Sequence, residues 1–422
     1  MAGCVSGVGT FPDSVALADC QATADDQFST AVGRGAVATG LRATAIGDSA
    51  NANGGFSTAV GYQATALFLG TAVGERANAT AGATALGVGA NASGGTAVSV
   101  GFNSSASGSS ATAIGSTASA SGDNAAAFGI NAQASGVSSL AAGNAAHATA
   151  DGSTALGANS QATATNAMAL GNAAQATGVS SFAAGDGALA SATGAVAIGQ
   201  TSQATGVNAI AIGTGAVATG SVAVGTLASA GNGGAAFGDN TVATGSLSTA
   251  IGPGAQATFA NSTAIGTGAV TTRTDQIALG TGTSTYTMAG LGSAASLAAQ
   301  SGATRFVTTD AAGNLATASF GPQDITGLQS NVATLQQQVG ALQTDVRRGF
   351  EGSAVAIALG GGALPEGKRF AVSTNWGTFR GENAGSVVAH VRVNETLVLN
   401  GGIASGFQYG GVGGRVGATL AW

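Results

Sequence analysis

The large apolar residues of this chain fall on a short, nearly fixed beat. Nineteen glycines mark it: Gly33, Gly47, Gly61, Gly74, Gly87, Gly101, Gly115, Gly129, Gly143, Gly157, Gly171, Gly185, Gly199, Gly213, Gly225, Gly238, Gly252, Gly266 and Gly280. Fourteen of the eighteen intervals are 14 residues and the others are 12 or 13. Val, Ile, Leu or Phe precedes the glycine in seventeen of nineteen cases. The exceptions, Ala142 and Ala184, have their bulky group two residues earlier, at Leu140 and Phe182. Residues i and i−2 of a strand share a face, so the bulk stays on one side. Each glycine closes a run such as Ala209-Ile210-Ala211-Ile212, and a second half-repeat such as Ala36-Val37-Ala38-Thr39-Gly40 follows. The pattern predicts a coil of two short strands and two tight bends, with glycine in bends that need φ > 0. One coil cannot bury its own apolar row, but stacked coils give that row a continuous core. The row that includes Val32, Ile46, Ile114, Ile198, Ile212, Ile251 and Ile265 is therefore expected to be the inward, buried face. Nineteen layers at about 4.8 Å make a rod of roughly 85–90 Å. Its nearly uncharged sides are expected to pack laterally, making the rod oligomeric.

The beat stops after Gly280. Residues 281–323 gain larger and charged groups and read as a connector that caps the solenoid. A heptad run follows. Ile325, Leu328, Val332, Leu335, Val339, Leu342 and Val346 alternate spacings of three and four, an a/d seam flanked by Gln, Asn, Ser and Asp. Asp324 is placed to cap this helix. Ile and Val at a with Leu at d favours two strands when taken alone. After Gly360–Gly362 come four runs of about ten residues that alternate with period two. Phe370, Val372, Trp376, Val387, Val391, Leu397, Leu399, Val416, Leu420 and Trp422 fall on the apolar face, and small, polar and charged residues fall on the other. Strands of this length with an apolar outer row describe an outer-membrane barrel.

Four strands cannot close a barrel, and open edges do not sit in lipid. Two chains would give eight strands, an interior filled by its own side chains, with no room for the slim Ala/Gly/Ser segment 349–359 that leads in. Three chains give twelve strands and a lumen for three helices. The anchor thus overrides the dimeric heptad preference and predicts a homotrimer. The domain reading is 1–28, an N-terminal segment; 29–280, head repeats; 281–323, connector; 324–361, stalk and entering helix; 362–422, anchor.

Composition alters this picture little. With 72 glycines in 422 residues and only 7% charged residues, an aperiodic chain would read as low complexity; the period argues otherwise. Net charge is −6, and no basic residue lies between Ala77 and Thr272, so no nucleic-acid partner is expected. Cys4 and Cys20 precede the repeats and form either one small disulfide or two unpaired thiols. No 18-residue apolar stretch is present, and the N-terminus lacks the basic and apolar regions of a signal peptide. An exported protein of this sequence is expected to have its true start upstream, or to be a fragment. No enzyme is legible. His147 and His390 stand apart from one another and from any Ser-His-Asp set, two cysteines and two scattered histidines make no zinc site, and the glycine-rich stretches lack the Lys-Ser/Thr of a phosphate loop. Neither metal nor cofactor is expected, and the calcium-binding Gly-Gly-x-Gly-x-Asp repeat is missing.

Taken together, the layout resembles the YadA-like trimeric autotransporter adhesins. The matching features are Ser29-Thr30-Ala31-Val32-Gly33 and Thr44-Ala45-Ile46-Gly47 in the head and the heptads of the stalk. The four terminal strands, Arg380-Gly381-Glu382 in their first hairpin, and the aromatic terminus Trp422 match as well. The resemblance spans residues 29–422. It implies a left-handed parallel β-roll head, a 12-stranded trimeric anchor, and export of the head through that anchor. It also implies attachment to host, matrix or abiotic surfaces, and recognition of the terminal strand by the barrel-assembly machinery. The stalk is short and the connector lacks a basic neck motif. Two other readings fit less of the chain: a structural or ice-binding surface rod, whose Thr-x-Thr ladders are irregular here, and a phage or secretion fibre, which needs no lipid-facing anchor.

Overall fold

The computed structural model describes residues 15–17 and 22–422. Cys4 and Cys20 lie outside the described residues. The chain divides into two compact units, Met1–Tyr286 and Thr287–Trp422.

In the first unit every repeat is one coil of a parallel solenoid. Thr44–Ile46 pairs in register with Thr30–Val32 on one side and Thr58–Val60 on the other. The same ladder continues to Ile277–Leu279 and forms a sheet of 20 strands. The shorter half-repeats, such as Val37–Ala38 and Asn51–Asn53, stack into a second parallel sheet that ends at Gln256–Ala257. Where the beat shortens to 12 residues the register is kept: Ile212 still pairs with Val224. The missing residues come out of a bend.

The core of the coil is alanine. Ala43 and Ala45 from the first strand region, and Ala50 and Ala52 from the second, have no exposed surface, and the same four positions repeat along the rod. Only a methyl group fits between two sheets joined by bends this tight. A hydroxyl is accommodated where it closes on its own bend: Ser57 Oγ donates to Gly54 O at 2.7 Å, and Ser202 Oγ to Gly199 O at 2.9 Å. At Ser99 a hydroxyl replaces the strand's central methyl and pairs with Ser104 Oγ at 2.7 Å. These hydroxyls keep a partner on burial, whereas those of Ser139, Ser181 and Ser248, also buried, have none within the chain.

The inward assignment of the bulky row is corrected by this packing. Ala45 is fully buried, while its neighbour Ile46 is 41% exposed. Ile114, Ile198, Ile212, Ile251 and Ile265 are likewise exposed, and Val32 is half-buried. Alternation puts Ala and the bulky residue on opposite faces of a strand, and the narrow lumen accepts the smaller one. The bulky row therefore lies on the outer face of the first sheet. The marker glycines have a second reason to be glycine. Gly33 has φ +127°, and a Cβ there would lie 2.5 Å from Gly47 O of the next coil. Both the backbone angle and the stacking distance exclude a side chain.

In the second unit a hairpin, Val307–Thr309 with Leu315–Thr317, precedes the helix Pro322–Leu359. Asp324 does not occupy the N-cap position. Gly321 does, Pro322 opens the helix, and Asp324 reaches back from the third position to accept from Gly321 N–H at 2.7 Å. Its charge still complements the helix N-terminus. The heptad residues Ile325, Leu328, Val332, Leu335, Val339, Leu342 and Val346 are all exposed in the single chain. The chain ends in an antiparallel four-stranded meander, Phe370–Phe379, Glu382–Arg392, Leu397–Gly406 and Val412–Leu420.

Candidate functional surfaces of the head and the anchor

The two outer faces of the solenoid differ in chemistry. On the first sheet the outward row runs Val32, Ile46, Val60, Val73, Leu86, Val100 and onward, apolar throughout. The second sheet's outward residues include Asn51, Thr65, Asn78, Asn91, Ser105, Ser119, Gln133, His147, Gln161, Gln175 and Gln203. The first sheet's outer face is thus the more apolar, although Thr30, Thr44, Thr58 and Thr71 share it, and the second is mostly polar, with Val37, Leu189, Val217 and Val242 interspersed. Side chains on neighbouring coils also link along the rod. Asn78 Nδ2 donates to Asn91 Oδ1 at 2.8 Å, and the amide N–H groups of Ser109 and Val137 donate to Asp123 and Asp151 of the next coil at 2.9 and 2.8 Å.

The N-terminal coils hold three of the head's four arginines, Arg34, Arg42 and Arg76, beside several of its aromatics. The Arg42 guanidinium lies 5.7 Å from the rings of both Phe28 and Phe56, within cation–π range. Arg34 Nε donates to Asp48 Oδ2 at 3.0 Å. That bond, then the Ser49 hydroxyl and the Arg34 charge, hold the Asp48 carboxyl below its ordinary range. A depressed carboxyl stabilises the fold at neutral pH and ceases to do so as pH falls through its folded value. Both groups face water, so the contribution is small.

In the terminal unit the helix end is seated against one face of the four-stranded sheet. Ala354, Val355, Ala358 and Leu359 pack on Ala384, Val388 and Ala404. The wall is cut to fit: Gly377 faces the backbone at Ala354 and Ala358, and a Cβ at Gly413 would lie 2.6 Å from Val355 Cγ1. Wall side chains satisfy the carbonyls that the helix end leaves open. Ser386 Oγ donates to Ala358 O at 2.7 Å, and Arg415 Nη1 to Leu359 O at 3.0 Å. His390 and Asn400 lie on this inner face, where His390 Nε2 and Asn400 Oδ1 have no hydrogen-bond partner within the chain. The opposite face holds Phe370, Val372, Trp376, Val387, Val391, Leu399, Val416, Leu420 and Trp422, all exposed, with Leu397 half-buried. Pairing sets Phe370 level with Val391 and Leu399 at one end of the sheet. At the other end Trp376 meets Phe407 in a tilted ring contact, with centroids 4.7 Å apart. Aromatics at both strand ends suit the two interfaces of a bilayer.

Sequence reasoning missed the alanine core and the seat for the helix end. Ala at i−1 from the bulky row, with Ser99 the exception, was visible, but the larger residue drew the assignment. Gly377, Gly406 and Gly413 have no period and give no signal until the helix is laid against them. Among the described residues no His, Cys, Asp and Glu cluster could hold a metal, and no helix is long and apolar enough to cross a membrane. The latter says nothing of a strand-built barrel.

A surface-displayed solenoid joined to a β-sheet membrane anchor is the class these features define. Residues 38–64, 81–104, 106–132, 134–160, 162–188, 190–216 and 243–269 match the family described as YadA head domain repeat, and residues 362–422 match the YadA-like membrane anchor domain. The chain belongs to the YadA-like trimeric autotransporter adhesins. Its anchor places it in the outer membrane with the head on the cell surface. Among solved structures, the collagen-binding domain of the Yersinia adhesin YadA is similar at 20% identity over 56% of this chain and 72% of that chain. The TM-score of that pair is 0.13. No curated protein matches the chain.

Proposed function

We propose that three copies of this chain assemble into one adhesin. In this reading the outer apolar row of the first sheet joins the heads, and the heptad seam joins the stalks. Three four-stranded sheets close a 12-stranded barrel around three helices. The observation that carries it is the state of the anchor. Its outer strands, Phe370–Phe379 and Val412–Leu420, each pair on one side only, and a sheet with two open edges is not stable in lipid. The exposed seams of head and stalk are surfaces that such an assembly would cover. Within this assembly residues 29–280 are the head, 281–323 the neck, 324–361 the stalk and plug, and 362–422 the barrel. The barrel's outer row, Phe370 to Trp422, meets lipid, and the barrel-assembly machinery inserts it. No catalytic role is assigned. The head contributes a binding surface for a host, matrix or abiotic partner, and its polar second-sheet face and aromatic N-terminal coils remain open when the first sheet is covered. Mass measurement of the detergent-extracted protein tests the assembly: three chains are expected, and a monomer or dimer as the sole species would overturn it. Adhesion of cells displaying the protein to matrix-coated and bare surfaces, compared with cells lacking it, tests the role.

A further inference from the structure

The hairpin between the last two strands ends in a bend, Phe407–Gly411, whose backbone N–H groups converge on one point. Glu351 of the helix occupies that point and has no exposed surface even in the single chain. Gln408 N–H donates to its Oε1 at 2.7 Å. Tyr409 N–H is shared between Oε1 at 2.9 Å and Oε2 at 3.0 Å, and Gly411 N–H reaches Oε2 at 3.3 Å. Converging amides of a bend form an anion-binding concavity, and bonds to a charged acceptor are stronger than neutral ones. The wall makes room for the carboxylate, because a Cβ on Gly406 would overlap its Cδ. One turn earlier on the same helix face, Arg347 lies beside the side chain of Tyr409 in the same bend. Glu351 is the only acid in the segment 349–359 that leads into the anchor. The glycine-lined seat and the bonds to Ala358 O and Leu359 O already favour one depth for that segment, and the carboxylate adds a charged contact that its small residues do not supply. A carboxylate that meets three fixed amides fits at one height only.

We propose that the 407–411 bend is a carboxylate-binding site whose ligand is the chain's own Glu351, and that it locks the helix at its final depth once the head has passed through the anchor. While the head is in transit, Glu351 is not yet at the bend and the amides are open to water. When the helix arrives, the carboxylate fills them and the hairpin closes on it. The site thus fixes an end point for export and holds the plug there.

The test uses the full chain in outer membranes and three variants: Glu351→Ala, Gly406→Ala, and both together. The readouts are hydrogen exchange of the 407–411 amides, head display on intact cells, and survival of the assembled protein in hot detergent. Loss of one such charged contact is expected to speed exchange at 407–411 and to shorten survival in hot detergent by about tenfold or more. Display is expected to stay within about twofold of the parent, since the lock acts after transit. Gly406→Ala is expected to match Glu351→Ala, because its methyl displaces the carboxylate. It is expected to add nothing to Glu351→Ala, where no carboxylate remains to be displaced. Unchanged exchange in Glu351→Ala, additive effects of the two substitutions, or loss of display with assembly intact would each overturn the proposal. If Glu351→Ala does not assemble, Glu351→Gln keeps the shape but turns an amide group toward the bend donors. Faster exchange at 407–411 in that variant supports the site, and parental exchange overturns it.

Discussion

At the residue scale the head is governed by volume. Ala211 is fully buried and Ile212 is exposed, although they are adjacent. The same substitution at the two positions should therefore do different things. Ala211→Asp puts an unpaired charge in a lumen lined with methyl groups, which costs several kcal/mol. Local opening and protease cleavage within residues 197–225 are expected in urea well below the parent's midpoint. Ile212→Asp, made together with Ile198→Asp, leaves the coil's interior intact. It should preserve the circular dichroism of the head and weaken association between chains. Equal protease resistance of Ala211→Asp and the parent would refute the alanine core. The marker glycines make a related case. Gly115 has φ +140° and lies against Gly129 of the next coil. Gly115→Ala is strained by both backbone angle and stacking, and a loss of about 2 kcal/mol or more is expected, read as a lowered urea midpoint. The period made these glycines legible in the sequence. Which of two neighbouring residues faced inward was not, because that depends on the distance between two sheets. A pattern of apolar residues carries no such length.

At the scale of the element, the helix Pro322–Leu359 serves two partners along its length. Its first part presents Ile325, Leu328, Val332, Leu335, Val339, Leu342 and Val346, exposed in the chain, and its last part is seated on the sheet. The heptads announced the first part. The second was legible only as small residues in 349–359, and the fit became visible when Gly377 and Gly413 were found opposite Ala354, Ala358 and Val355. Gly377→Val is expected to unseat the helix, since the wall there touches helix backbone and has no room to give. The assembled form of this variant should fall apart in hot detergent at a temperature clearly below the parent's. Parental heat resistance would contradict the seat. At the other end, Asp324→Ala removes the bond to Gly321 N–H. A loss of about 1 kcal/mol is expected, detectable as fraying of the first turn by hydrogen exchange, with the seated end unchanged.

At the scale of the whole molecule, one chain leaves apolar surface open on the head, the stalk and the sheet, and the anchor must enter a membrane before any of the rest is displayed. The last strand, Val412–Leu420, pairs only with Leu397–Gly406 inside the chain. Its alternation puts Val416, Leu420 and Trp422 on the outer row, with Trp422 fully exposed at the terminus. A tryptophan there suits the headgroup level of a bilayer, apolar on one side and wet on the other. That residue was legible from its position alone, because a dyad strand ending on an aromatic is a barrel signature. Deleting Trp422 removes the interface anchor of that strand without touching the helix seat or the head. The amount of protein in the outer-membrane fraction is expected to fall several-fold, measured by immunoblot against total protein. Lys368→Ala, in the exposed turn before the first strand, changes a charge but no packed contact, and parental yield is expected. If both variants insert like the parent, the last strand is not what the insertion machinery reads, and the assignment of Phe370 to Trp422 as the lipid-facing row loses its main support.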